Sequence, residues 1–261
     1  MARFCPLFSS SSGNCIYIGT SNGGILIDVG VSAKRTVNAL EQIGVSPEDI
    51  SAIFITHEHS DHINGLKVFA GKYSMDVWAS GGTLSALGEA GILNEKINIH
   101  ELSSGGAEAA GMFVRPFHTS HDSAESVGYT IVTPDDKRIA VATDLGIVTP
   151  EVMNAIYGSD LVMLESNHDV DLLKRGPYPY YLKQRILSNR GHLSNECCAE
   201  TALKLLDGGT TRFVLGHLSR HNNVPQLAYE TTNSLFTMHG AVNGSDFLLN
   251  VANDDGKVIS F

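Results

Sequence analysis

Residues 56–62, Thr-His-Glu-His-Ser-Asp-His, constrain the fold of this chain more than any other stretch. They follow the apolar residues 52–55, whose length and β-branched content predict a buried parallel strand. His57 and His59 can point the same way from extended backbone, whereas Asp61 and His62 follow a turn and can face back toward them. The spacing indicates a site for two adjacent metal ions at a strand end. A solvated His-rich loop that binds nothing is the alternative.

The motif His-x-His-x-Asp-His resembles the signature of the metallo-β-lactamase superfamily. This resemblance implies an α/β fold, an αββα sandwich in which two mixed sheets pack face to face, flanked by helices, with one or two metal ions at one edge. Further stretches resemble the YycJ/WalJ branch, bacterial proteins regarded as DNA exonucleases, and extend the likeness over nearly the whole chain. These stretches are residues 9–15, 165–169, 191–195 and 216–219.

The resemblance also implies the metal ligands. His121 matches the branch because an Asp and then a Gly-aromatic pair follow it, and His118 is the alternative. Asp144 corresponds to the carboxylate that bridges both ions, and His217 corresponds to the last ligand. The implied sets are His57, His59, His121 and Asp144 for one ion, and Asp61, His62, Asp144 and His217 for the other. Asp28 corresponds to an acceptor that orients a ligand histidine, with a simple turn residue as the alternative.

Other residues are expected to act beside the ions. Glu165 and His192 are similar in position to the Glu–His pair with which phosphodiesterase members of the superfamily protonate the leaving oxygen. Asp61 is expected to be catalytic as well as a ligand. His168 is a candidate for substrate contact, and a satisfied structural histidine is the alternative for His168 and for His192.

The predicted cofactor is a pair of divalent metal ions. Two cations can lower the pKa of a shared water and stabilise the negative charge of a phosphorane-like transition state. The expected nucleophile is therefore water. Zn²⁺ suits the imidazoles, and Mn²⁺ or Fe²⁺ fits the same nitrogen and oxygen ligands. The identity of the metal stays open.

Length and composition predict one ordinary globular domain, residues 1–261. The stretch between Asp144 and His217 is too short for the inserted cap domain of larger nuclease relatives. Four cysteines match neither a disulfide framework nor a zinc site. No leader-like segment precedes Arg3, and no apolar run approaches the ~20 residues of a membrane span. A cytoplasmic protein without a membrane partner is expected.

A basic, tyrosine-rich segment lies between Leu172 and Gly191, although the net charge of the chain is −10. This segment contains no Asp or Glu, and the local reversal of charge predicts contact with phosphates and stacked bases. A solvated amphipathic helix is the alternative. The residues concerned are Lys174, Arg175, Lys183, Arg185 and Arg190, with Tyr178, Tyr180 and Tyr181.

The predicted function is therefore a metal-dependent phosphodiester hydrolase, by resemblance a DNA exonuclease directed to 5′ ends. A thioesterase or lactonase with the same metal site is the main alternative. The diiron redox relatives need a glutamate at the second motif position, where this chain has His59. RNA as substrate stays open, and substrate selection is expected to depend on loops or on a homodimer.

Overall fold

The computed structural model describes residues 2–252 and 258–260. Within these residues, the strands form two mixed sheets of seven strands each, flanked by helices, which confirms the predicted fold class. The strands are β1 (Arg3–Ser10), β2 (Gly13–Thr20), β3 (Gly23–Ile27), β4 (Ile50–Phe54), β5 (Asp76–Ala79), β6 (Asn98–Glu101), β7 (Ala107–Ala109), β8 (Met112–His118), β9 (Val127–Val132), β10 (Arg138–Ala142), β11 (Leu161–Glu165), β12 (Arg212–Gly216), β13 (Leu248–Val251) and β14 (Ile259–Ser260). The helices are α1 (Ala33–Gln42), α2 (Ser60–Ile63), α3 (Leu66–Tyr73), α4 (Gly81–Glu89), α5 (Pro150–Ile156), α6 (Val170–Arg175), α7 (Tyr180–Ile186), α8 (Asn195–Asp207) and α9 (Pro225–Met238).

The chain divides into two compact units. The first unit contains the described residues of 1–116, 123–137 and 253–261, and the second contains residues 117–122 and 138–252. The assignment of residues 1–261 to one domain without a cap stays a prediction, and residues 1, 253–257 and 261 lie outside the described residues. None of the helices in the described part of the chain is long and apolar enough to cross a membrane.

The first sheet lies in the first unit and has the order β14-β1-β2-β3-β4-β5-β6. Strands β1 to β3 are antiparallel neighbours, and β3 to β6 run parallel. Strand β4 is almost entirely buried, as expected for a parallel strand covered on both faces. Its carboxyl end therefore delivers the metal motif at one edge of the sheet.

The succession of strand-like segments at residues 97–102, 111–117, 126–133 and 138–143 predicts that all four belong to the second sheet, and for residues 97–102 this prediction is wrong. Strand β6 pairs with β5 in the first sheet, in parallel orientation. Helix α4 lies between these strands in the chain and provides the crossover connection that parallel neighbours require.

The sequence predicts one helix over residues 63–73, but the structure has two, since α2 ends at Ile63 and α3 begins at Leu66. Gly65 lies at the break, where an added Cβ atom would lie 2.0 Å from the carbonyl oxygen of Val31. The Gly65 N–H donates to the Val29 carbonyl at 2.9 Å. This close approach places Asp61 and His62 on their own short helix, directly after β4.

The second sheet contains β7 to β13. In the second unit, β10 to β13 are parallel and adjacent in chain order, with α5, α6 to α8, and α9 as their connections. Buried phenylalanines pack beneath α9, with Phe236 edge-on to Phe213 and Phe247. Asp144, Glu165 and His217 all follow or end these strands, so the topology brings them to one edge of the sheet.

Candidate metal centre

The first unit carries the His-x-His-x-Asp-His motif, which begins after β4 and ends within α2. The ring centroid of His57 lies 4.6 Å from that of His59 and 4.1 Å from that of His62. Asp61 Oδ2 lies 3.6 Å from His62 Nε2. Zinc–nitrogen bonds of about 2.0–2.1 Å separate two ligand atoms of a tetrahedral ion by about 3.3 Å. The spacing of Asp61 and His62 therefore fits two ligands of one ion.

Asp28 orients the His62 ring, as the sequence analysis expected for a ligand histidine. Its Oδ2 atom lies 2.7 Å from His62 Nδ1, and its carboxylate accepts the Thr56 N–H at 2.8 Å and the Thr56 hydroxyl at 2.9 Å. This contact makes Nε2 the atom through which His62 would bind a metal ion. Burial raises the pKa of Asp28, although His62 and Thr56 act in the opposite direction. The left-handed φ of 63° at Asp28 adds backbone strain.

Two polar residues of the first unit were not assigned a role from the sequence. The Thr56 hydroxyl lies 3.1 Å from His57 Nδ1 and 3.2 Å from His62 Nδ1. Asn14 Nδ2 lies 3.1 Å from His62 Nε2 and donates to the Asp61 carbonyl at 3.3 Å. Two sequence signals were available. Thr56 lies directly before the His-x-His-x-Asp-His motif, and Asn14 lies in the Ser-rich stretch of residues 9–15. Asn14 thus connects the start of β2 to two candidate ligands.

The second unit brings together the cluster of Asp144, Glu165, His192 and His217. Each of these side chains offers one ligand-capable atom within 4.8 Å of the others. Asp144, Glu165 and His217 are buried, whereas His192 is partly exposed. Asp144 and His217 both have left-handed φ values, of 59° and 55°. Such conformations are strained in residues other than glycine, and strain of this kind clusters at functional sites.

Glu165 accepts four hydrogen bonds at the centre of this cluster. Its Oε1 atom lies 2.8 Å from His192 Nδ1 and 2.7 Å from His217 Nδ1. Its Oε2 atom accepts the backbone N–H groups of Leu145 at 2.8 Å and Leu193 at 3.1 Å. Burial alone would raise the pKa of Glu165, but His192 and His217 hold it well below the ordinary value. The expected Glu165–His192 contact is present, and the contact with His217 was not predicted.

His121 is buried in the second unit, and its Nε2 atom lies 3.7 Å from Asp144 Oδ1. Its Nδ1 atom lies 3.2 Å from the Gly191 carbonyl oxygen, so Nε2 is the atom through which His121 would bind a metal ion. Burial lowers the pKa of His121, although Asp144 opposes this shift, and the neutral ring is the form that binds metal. His118 is exposed, and its backbone N–H donates to Glu151. The geometry therefore favours His121 over His118.

His168 is buried in the second unit, and neither ring nitrogen has a hydrogen-bond partner among the described residues. Burial lowers the pKa of His168 to about 4, although Glu165 opposes the shift. The ring is therefore neutral near pH 7. Buried polar atoms without partners are costly, so His168 is a candidate for contact with a bound molecule.

The basic segment forms two short helices, α6 and α7, and its side chains differ in their surroundings. Lys183 Nζ donates to the Lys174 carbonyl at 2.8 Å, and Arg175 lies 3.8 Å from Asp171 in an exposed ion pair. The Arg185 guanidinium bonds to the carboxylate of Asp122. Tyr180 and Tyr181 are exposed over 76% and 74% of their surface. An exposed aromatic and basic surface is thus present on α7.

The donor set fits divalent metal ions. Both units offer imidazole nitrogens and carboxylate oxygens, which suit Zn²⁺, Mn²⁺ or Fe²⁺. In each unit a hydrogen bond at Nδ1 orients histidine rings, as is usual for metal-binding histidines.

Comparison with known proteins agrees with this chemistry. The family model described as "Beta-lactamase superfamily domain" matches residues 24–218. The chain is 40% identical over 232 residues to "Exodeoxyribonuclease WalJ" of Streptococcus pneumoniae serotype 2 (strain D39 / NCTC 7466), covering 88% of this chain and 86% of that protein. It is 36% identical over 248 residues to "Exodeoxyribonuclease YycJ" of Bacillus anthracis, covering 94% and 93%. The fold is similar to that of Zn²⁺-bound PqqB from Methylobacterium extorquens, with a TM-score of 0.73, 16% identity and complete coverage of both chains.

Proposed function

This chain belongs to the metallo-β-lactamase superfamily and, within it, to the family of WalJ and YycJ, and we propose that it is a metal-dependent DNA exonuclease. The observation that carries this proposal is the similarity to two exodeoxyribonucleases over 88% and 94% of the chain. Direction from the 5′ end is proposed on the resemblance to the same branch.

The proposed cofactor is a pair of divalent metal ions. One ion would be held by His57, His59, His121 and Asp144, and the other by Asp61, His62, Asp144 and His217. When bound, the ions supply a water of lowered pKa and stabilise the negative charge that develops on the phosphate. Hydrogen bonds at Nδ1 of His62, His121 and His217 support this assignment, because each directs Nε2 toward metal binding.

His192 is proposed to protonate the leaving oxygen. Its Nδ1 atom lies 2.8 Å from Glu165 Oε1, and this contact keeps the ring oriented. Glu165 is fully buried and its carboxylate already accepts four hydrogen bonds, so we assign it as a positioning residue instead of a catalytic one. Asp61 is partly exposed beside His62 and is proposed to accept a proton from the attacking water.

The substrate is proposed to lie along the exposed surface of α6 and α7. Lys174, Arg175 and Lys183 would contact phosphates, and Tyr180 and Tyr181 would stack bases, at about 1–3 kcal/mol per stacked base. His168 is proposed as a further substrate contact, because its buried ring nitrogens have no partner in the described part of the chain.

A turnover comparison tests the reaction class. Purified protein with Zn²⁺, Mn²⁺ or Fe²⁺ would be given 5′-phosphorylated DNA, RNA, and a panel of thioesters and lactones. We expect the highest kcat/KM on DNA, with mononucleotides released first from the 5′ end of strands that carry one label at either end. Preferential hydrolysis of a thioester or lactone, with intact DNA in all three metals, would establish the small-ester hydrolase instead.

A salt titration tests the binding surface. Each neutralised phosphate contributes about 0.7 to the slope of log K against log salt for single-stranded DNA. Replacing Lys174, Arg175 and Lys183 with glutamine together should therefore reduce the slope by up to about 2 units. Lys204→Gln is the matched control, because Lys204 is an exposed lysine on α8. An unchanged slope in the triple variant would show that α6 and α7 are solvated helices that do not contact DNA.

A further inference from the structure

The segment of residues 185–191, here called the strap, wraps around the loop that carries His121. The guanidinium of Arg190 donates to the His121 carbonyl oxygen from Nε at 3.2 Å and from Nη2 at 3.0 Å. Arg185 Nη2 donates to Asp122 Oδ1 at 3.0 Å, and its Nε donates to the other oxygen of the same carboxylate. The Ser120 hydroxyl donates to the Asn189 carbonyl at 2.6 Å. Three consecutive residues of the loop are thus bonded to the strap.

The strap also lies against the residues that follow Asp144. An added Cβ atom at Gly146 would lie 2.1 Å from the carbonyl oxygen of Asn189, so only glycine fits there. The Gly146 N–H donates to the Ser120 carbonyl at 2.8 Å. The strap, the His121 loop and the loop after Asp144 therefore meet at one place in the second unit.

We propose that Arg190 and Arg185 are positioning residues for the metal ligand His121, instead of contacts for DNA phosphates. The inference rests on the proposed function, because it requires a metal ion at His121. The Arg190 fork holds the backbone of His121 while the strap's Gly191 carbonyl holds Nδ1, so backbone and ring are restrained together. Arginine suits this task because its rigid, planar guanidinium directs Nε and Nη2 at the same carbonyl oxygen, an arrangement that the flexible ammonium of lysine does not fix.

The charges of the strap agree with this role. The forked contact with Asp122 neutralises Arg185, which reduces its electrostatic attraction for a phosphate. Lys174, Arg175 and Lys183 differ, because no contact ties them to the His121 loop in the part of the chain that the structure describes. The basic segment therefore divides into a DNA-binding part and a strap that positions a ligand.

Metal binding without substrate tests this inference. Zn²⁺ or Mn²⁺ affinity would be measured by competition with a chelator for the wild type, Arg190→Gln, Arg190→Lys, Arg185→Gln and the control Lys204→Gln. Loss of an outer hydrogen bond to a ligand typically weakens metal binding by about 10–100-fold. We expect a loss in this range for Arg190→Gln, a smaller loss for Arg190→Lys and Arg185→Gln, and none for Lys204→Gln. The absorption spectrum of the Co²⁺-loaded protein should change in Arg190→Gln, since it reports the ligand geometry.

The salt dependence of DNA binding separates the two roles. Arg190→Gln and Arg185→Gln should leave the slope unchanged, whereas phosphate contacts would lower it by about 0.7 each. Wild-type metal affinity together with a lower slope in these variants would overturn the inference. If Arg190→Gln does not fold, the metal affinity and the salt dependence of DNA binding of Arg190→Lys and Arg185→Gln test the inference instead. A wild-type protein that binds no metal would refute the proposed function itself, so the two failures are distinguishable.

Discussion

Replacing Glu165 with glutamine tests the hydrogen-bond arrangement at the centre of the second unit. Each carboxylate oxygen of Glu165 faces two N–H donors, from the histidines at Oε1 and from the backbone at Oε2. Glutamine has the same shape but carries a donor group at one end. If the amide NH₂ faces Leu145 and Leu193, both backbone N–H groups lose their acceptor. If it faces the histidines, the His217 ring must accept at Nδ1 and carry its proton on Nε2, which then cannot bind metal.

The magnitude follows from the two bonds lost in the first orientation. Hydrogen bonds to a charged group contribute about 1.5–3 kcal/mol each, so Glu165→Gln should lower the free energy of unfolding by about 3–6 kcal/mol. In the second orientation, metal content and turnover should fall instead. Urea unfolding of the chelated protein measures the first effect, and metal analysis of the loaded protein measures the second.

The control for this experiment is Glu200→Gln, at an exposed position on α8, where the change should stay within about 0.5 kcal/mol. The reasoning is refuted if Glu165→Gln unfolds within about 1 kcal/mol of the wild type and also retains full metal content. That result would mean that an amide NH₂ group can replace one carboxylate oxygen at position 165. The four observed contacts predict that it cannot, because each oxygen faces two N–H donors.

Two further substitutions test other parts of the site. The folded pKa of His168, about 4, lies below its ordinary value of 6.5, so the unfolded chain takes up the proton first and stability falls as pH drops from 6.5 toward 4. Between pH 7 and pH 5, the free energy of unfolding measured in urea should therefore fall by about 2 kcal/mol less in His168→Phe than in the wild type. An equal fall in the two proteins would contradict a buried neutral ring at His168. Asp144→Ala should lose bound metal and turnover together, whereas the exposed His118→Ala should keep both; full metal content in Asp144→Ala would remove the bridging assignment.

The amino-acid sequence by itself determined the features that depend on local spacing and burial. The His-x-His-x-Asp-His run after an apolar strand could be identified in this way. So could the polar residues that end β11 and follow β10 and β12, because each marks the point where an apolar run stops. The start of α8 was also predictable, since the Ser194 hydroxyl accepts the Cys197 N–H as an N-cap. These signals depend on residues within a few positions of one another.

Only the tertiary structure decided which side chains hold these residues in place. Asp28 reaches His62 across 34 positions, Glu165 reaches His217 across 52, and Arg190 reaches His121 across 69. Such partners depend on which strand ends and loops become neighbours, and the sequence pattern does not encode that choice locally. The error at β6 has the same origin, because the pattern of a strand is alike in either sheet. Chain connectivity through α4 and packing determined its place, just as packing brought the strap to His121.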